Sequence, residues 1–106
     1  AVVGMMFEQG QDSQMLKQMW KRLPKKQGEK VVLKTPQPVN QLLPKNLDYY
    51  RFSGSLTTPP CSEGVRWLIL KEIQQASAKQ IGEFFKLMGH PNNRPVQPLN
   101  GRVIVE

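Results

Sequence analysis

Thr57 and Thr58 stand directly before Pro59 and Pro60 in the stretch SLTTPPCSEGVRWLIL, Ser55 to Leu70. Proline fixes its own φ and restricts the residue before it, so this pair holds two hydroxyls on an extended, reproducible backbone. A hydroxyl is both donor and acceptor. A partner that takes its proton leaves only lone pairs, which then select for groups that donate. Leu56, Val65 and Trp67 offer apolar surface beside the threonines. A directed hydroxyl next to an apolar wall suits a small, poorly solvated substrate; surface threonines on a proline-stiffened loop are the plainer alternative from spacing alone. Cys61 is the only cysteine, which excludes a disulfide framework within the chain and leaves either a free buried thiol or a partner elsewhere.

The elements that would position these side chains can be read from periodicity. Val2 to Glu8 is apolar on both faces and predicts a strand in the middle of a sheet. After a turn at Gln9-Gly10-Gln11, Asp12 or Ser13 caps a helix carrying Met15, Leu16, Met19, Trp20 and Leu23, which ends at Pro24. Its Met and Trp stripe reads as packing. Gly28 to Lys34 predicts a short strand with Val31, Val32 and Leu33, and residues 35–46, with Pro36, Pro38 and Pro44, an irregular connection. Tyr49 to Phe52 and Val65 to Lys71 predict two further strands. Ser77 with Gln80 forms a capping box for a second helix with apolar positions Ile81, Phe84, Phe85 and Met88, closing near Gly89. A loop follows from His90 to Leu99, then a last short strand at Val103 to Val105. The fold class is mainly β, with α+β character at its edges. The edges of its sheet cannot all be satisfied within this chain.

A chain of 106 residues with 39% hydrophobic content forms one domain at most. No run approaches the roughly 18 apolar residues of a membrane span, and AVVGMMFEQG shows neither a basic leader nor a small-residue cleavage site. Beginning on Ala1, Val2 and Val3 without a polar lead-in, the chain reads as part of a larger protein. Fifteen Lys and Arg against eight Asp and Glu give +7, much of it at Lys17, Lys21, Arg22, Lys25, Lys26, Lys30 and Lys34. No aromatic platforms interleave these cations and no nucleic-acid-binding motif appears, so they read as a solvated surface and nucleic acid is not expected as a partner.

The run GSLTTPPCSEGVRWLILKE, Gly54 to Glu72, resembles the active-site segment of alpha-class carbonic anhydrases, and RPVQPLNGR, Arg94 to Arg102, resembles their C-terminal signature. AVVGMMF resembles the strand after the last zinc ligand of that family, and LLPKNLDYYRF lies at the matching distance before the threonines. The resemblance runs through all 106 residues in order, and YYRFSGSLTTPPCSEGVRW is more similar to bacterial members than to animal ones.

The resemblance implies that residues 1–106 are the C-terminal part of a single domain. In that domain a large, mostly antiparallel central sheet with two short peripheral helices is completed by a missing N-terminal portion. It implies an enzyme that interconverts carbon dioxide and bicarbonate at zinc, which lowers the pKa of bound water to about 7. The zinc ligands, the proton-shuttle histidine and the glutamate that orients the gatekeeper threonine would all precede Ala1, so no metal ligand is expected in this chain. His90 matches no ligand. Thr57 would be the catalytic gatekeeper, with its N–H holding a product oxygen, and Thr58 would contact bicarbonate or water. Val2, Leu56, Val65 and Trp67 would line the carbon dioxide pocket. Arg94 and Gln97 match the C-terminal signature and imply a structural role, and Pro59–Pro60 is expected cis. Cys61 occupies a position where bacterial relatives carry a cysteine paired with one near the N-terminus, which implies a disulfide to the missing portion and a periplasmic or secreted location. A homodimer stays open. The competing reading is a catalytically inactive carbonic-anhydrase-like module that binds a protein.

Overall fold

A computed structural model describes every residue of the chain except Gln27, Lys34 and Gln37. In chain order its strands and helices are β1 (Val2–Gly4), β2 (Phe7–Gln9), α1 (Gln14–Trp20), β3 (Tyr49–Ser55), β4 (Glu63–Leu70), β5 (Gln74–Ala76) and α2 (Ala78–Met88), with one 3-10 turn at Val39–Leu42. They belong to two units: residues 1–6, 45–73 and 93–106 form one, and residues 7–44 and 74–92 the other.

The first unit holds a three-stranded sheet in the order β1-β4-β3. β3 pairs with β4 antiparallel, and β1 pairs with β4 in parallel, so the sheet is mixed. Val105 extends it by a single antiparallel bridge to Arg51, closed by hydrogen bonds of 2.7 and 2.8 Å. The strand expected at Val103 to Val105 is thus reduced to one bridged residue, because Gly101 at φ +82 and Asn100 at φ +49 turn the chain just before it. Among the described strands β1 lies at one end of this sheet, and Val3 is 54% exposed there. Leu70 is the buried apolar side chain of this unit, at 5% exposure.

In the second unit β2 pairs in parallel with β5, and two helices follow local rules. Ser13 caps α1 by accepting from Leu16 N–H (3.2 Å). Its last turn tightens through Arg22 N–H to Met19 O and Leu23 N–H to Trp20 O before Pro24 restricts Leu23. α2 carries the expected Ser77/Gln80 capping box and ends at Gly89, whose φ of +77 supplies the left-handed cap. Gln80 is 6% exposed and satisfied: its Oε1 accepts from Ser13 and Ser77 N–H, and its Nε2 donates to Ser13 O. One amide therefore ties together the first turns of both helices. Trp20 donates from Nε1 to Gln80 O (2.8 Å) and stacks on Phe84 at 5.9 Å between centroids.

Two expectations need correcting here. The strand from Val2 to Glu8 is two strands, interrupted at Met5 and Met6, and its halves pair in different sheets. The strand expected at Gly28 to Lys34 does not form over residues 28–33, and Lys34 lies outside the described residues. Its β-branched residues find no partner strand, and Val32 stands 84% exposed; propensity without a ladder does not make a strand.

Candidate active site

The threonines lie in the connection of the β3–β4 hairpin. Its ladder runs from Tyr49↔Leu70 to Gly54↔Val65 and then slips, so that Ser55 faces Glu63 and Gly64 bulges out. Gly64 takes φ +83, a conformation glycine adopts without steric cost. Beyond the slip, Leu56 N–H donates to Ser62 O (2.9 Å) and Cys61 N–H to Thr58 O (2.8 Å). The second bond closes a four-residue turn over Pro59–Pro60, whose peptide bond is cis as the resemblance implied. Thr57 falls between these two bonds, with a backbone held on both sides and an exposed side chain.

Val2, Val65 and Trp67 come together on one face of the sheet. Val2 is the register partner of Trp67, and Val65, two residues before Trp67, points to the same side. Phe52 faces Trp67 from β3, while Gly54 leaves the space the indole occupies: a Cβ there would lie 2.9 Å from Trp67 Cδ1. The indole is fixed by its Nε1–H donating to Ser55 O (3.0 Å). Leu56 continues from the end of β3 and is exposed, as are Thr57 and Thr58. The hairpin thus carries an apolar wall on one strand and the two hydroxyls at its tip.

Arg94, for which the resemblance implied a structural role, helps to fasten this tip, with Ser55 as its partner. Arg94 Nη1 donates to Ser55 Oγ (2.5 Å), and Ser55 Oγ donates to Leu56 O (3.1 Å). Arg102 donates to three carbonyls, Nη1 to Ser53, Nε to Leu99 and Nη2 to Pro98. Gln97 bonds within its own loop, to Pro95 O. The spacing of RPVQPLNGR marked these arginines, but nothing in it names the strand they grip. Cys61 is a half-buried free thiol on an open depression of about 330 Å³ that Arg94 and Arg102 also line.

His90 belongs to the second unit, exposed, with Nδ1 2.8 Å from Pro91 O. Among the described residues no group of three His, Cys, Asp or Glu side chains could hold a metal ion. Zinc takes three or four such ligands, so the residues of this chain do not by themselves fit it.

The family description "Eukaryotic-type carbonic anhydrase" matches residues 1–106, and the chain belongs to that family. It is 50% identical over 104 residues to a carbonic anhydrase of Pectobacterium carotovorum and 49% identical over 106 to one of Klebsiella pneumoniae, covering 98% and 100% of this chain and 43% of each relative. A rabbit (Oryctolagus cuniculus) carbonic anhydrase 1 is 36% identical over 116 residues, across 98% of this chain and 49% of its own length. Among solved structures, the alpha-carbonic anhydrase of Thermovibrio ammonificans, in complex with the inhibitor sulfanilamide, superposes with a TM-score of 0.93 at 48% identity, over 98% of this chain and 46% of that one. The Photobacterium profundum alpha-carbonic anhydrase gives 0.91 at 45% identity, over 98% and 48%. The chain spans less than half the length of these relatives.

Proposed function

We propose that this chain forms the substrate-facing part of a carbonic anhydrase that reversibly hydrates carbon dioxide to bicarbonate and a proton, and that residues 1–106 are the C-terminal portion of its single domain. The observation that carries the reading is the hairpin tip, where Thr57 is held on both sides beside the face formed by Val2, Val65 and Trp67. Carbon dioxide has no donor and little hydration to lose, so an apolar wall suffices to receive it. The Thr57 hydroxyl, donating to a carboxylate outside this chain, keeps only lone pairs for the pocket; it then accepts from O–H groups and turns away ligands with no proton to give. Leu56 closes the wall at the hydroxyl end, the Thr57 N–H holds a product oxygen, and Thr58 meets bicarbonate or solvent.

Zinc supplies this family's hydroxide at neutral pH, and its ligands would lie outside these 106 residues. Apolar side chains left open here, such as Val3 and Val96, suit a chain covered by further polypeptide. Cys61 would pair with a cysteine of that polypeptide, placing the protein in the periplasm or outside the cell. An inactive binding module has no use for a fixed hydroxyl beside a shaped apolar face.

The test is stopped-flow hydration of carbon dioxide by the enzyme that carries this chain, with zinc content measured in parallel. Thr57→Ala should lower turnover by roughly 10²-fold, the scale for one preorganised hydrogen bond, with zinc retained. Thr58→Ala should cost much less. The reverse order would show the two hydroxyls wrongly assigned, and a wild type without turnover would favour the binding module.

A further inference from the structure

We infer that Arg94 is a positioning residue for Thr57, acting through Ser55; this rests on the role given to Thr57 above. Ser55 is where three constraints meet. Its carbonyl accepts the Trp67 indole N–H at 3.0 Å, its Oγ accepts from the Arg94 guanidinium at 2.5 Å, and the same Oγ donates to the Leu56 carbonyl at 3.1 Å. One of these bonds comes across the hairpin from β4 and one from the C-terminal loop, 39 residues away. They converge on the residue where the β3–β4 ladder slips, beyond which the Leu56 N–H to Ser62 O bond alone continues the pairing. A charge-assisted bond at such a point is stronger than a neutral one and directional.

The geometry converts this into leverage. Thr57 follows Ser55 by two residues, about 7 Å of extended chain. A tilt of about 8° at Ser55 would therefore move Thr57 by about 1 Å, and a displacement of that size can cost on the order of 10²-fold in rate. The turn closed by Cys61 N–H fixes the far side of the threonines but not their angle to the sheet. The Ser55 bonds set that angle together with the Leu56 N–H to Ser62 O bond. Arg102, spent on the carbonyls of Ser53, Pro98 and Leu99, anchors the loop that presents Arg94.

The experiment compares Arg94→Gln, Ser55→Ala, the double variant and Ser55→Thr in the enzyme that carries this chain, by amide hydrogen exchange and by turnover. Both single variants should raise exchange at Leu56 and Cys61 at least 10-fold and leave Tyr50, at the far end of β3, unchanged. The double variant should add nothing, because each single change breaks the same link, and Ser55→Thr, which keeps an oxygen at that Cβ, should restore protection. With the wild-type role of Thr57, kcat falls alongside by about 10-fold while KM holds. Unchanged exchange at Leu56, a uniform rise through β3 and β4, or additive single effects would overturn the inference whatever the turnover. Selective loosening with normal kcat would uphold the positioning and refute the role of Thr57 instead.

Discussion

Gly54→Ala and Gly82→Ala are the same chemical change, yet the structure assigns them opposite signs. In a strand or helix interior alanine is ordinarily the better residue by about 0.5–1 kcal/mol, because glycine loses more backbone freedom on folding. Gly82 lies in α2, and a Cβ there meets nothing within 4 Å, so the gain of about 1 kcal/mol should appear in full. At Gly54 the added carbon would stand 2.9 Å from Trp67 Cδ1 and 3.2 Å from Nε1, on a ring tethered to Ser55 O. The ring must retreat, which costs about 1–3 kcal/mol as overpacking and weakens a hydrogen bond worth about 0.5–1.5 kcal/mol. Less the backbone gain, Gly54→Ala should destabilise by about 1–3 kcal/mol. Urea denaturation of the enzyme that carries this chain measures both, and a Trp67→Phe background isolates the clash: there the penalty at Gly54 should fall by at least half. A stabilising Gly54→Ala, or a penalty undiminished without the indole, would refute the reasoning.

Val2→Trp should cut carbon dioxide hydration sharply with zinc retained, since Val2 is the register partner of Trp67 on the apolar wall; unimpaired activity in stopped flow would remove Val2 from that wall. Residues 1–106 alone should show no cooperative melt by calorimetry and no stoichiometric zinc, given so small a buried core and no metal-ligand cluster among the described residues. Non-reducing mass spectrometry of the protein carrying Cys61 should find it in a disulfide, and a titratable thiol there would contradict the extracellular location.

The two strands flanking the threonines and the caps of α2 were legible because their determinants are local, whereas the cap of α1 was open between Asp12 and Ser13. Ser77 and Gln80 lie three residues apart and act on each other's backbone, and Gly89 ends α2 by its own conformation. Thr57, Thr58, Val65 and Trp67 share one short stretch, so their proximity needed only a hairpin. What failed was non-local. The break at Met5 and Met6 is decided by which strands β1 and β2 pair with, and those lie far along the chain. Val31, Val32 and Leu33 have strand-forming side chains and no strand to join. The grip of Arg94 and Arg102 on β3 escaped notice because backbone carbonyls and a serine hydroxyl, their acceptors, carry no distinguishing sequence signal.

The parallel pairings also set the order in which this chain can assemble. β3 and β4 meet across a short loop, whereas Val2 must find Trp67 and Phe7 must find Gln74, each about 65 residues away. Loop closure costs about 0.6 kcal/mol more for each doubling of length, so those two pairings start roughly 2 kcal/mol behind the hairpin. During synthesis β1 and β2 emerge before β4 and β5, so these two pairings can form only once the later strands follow. The hairpin bearing Thr57 is then the template on which β1 is laid down, a non-local step that follows the local one.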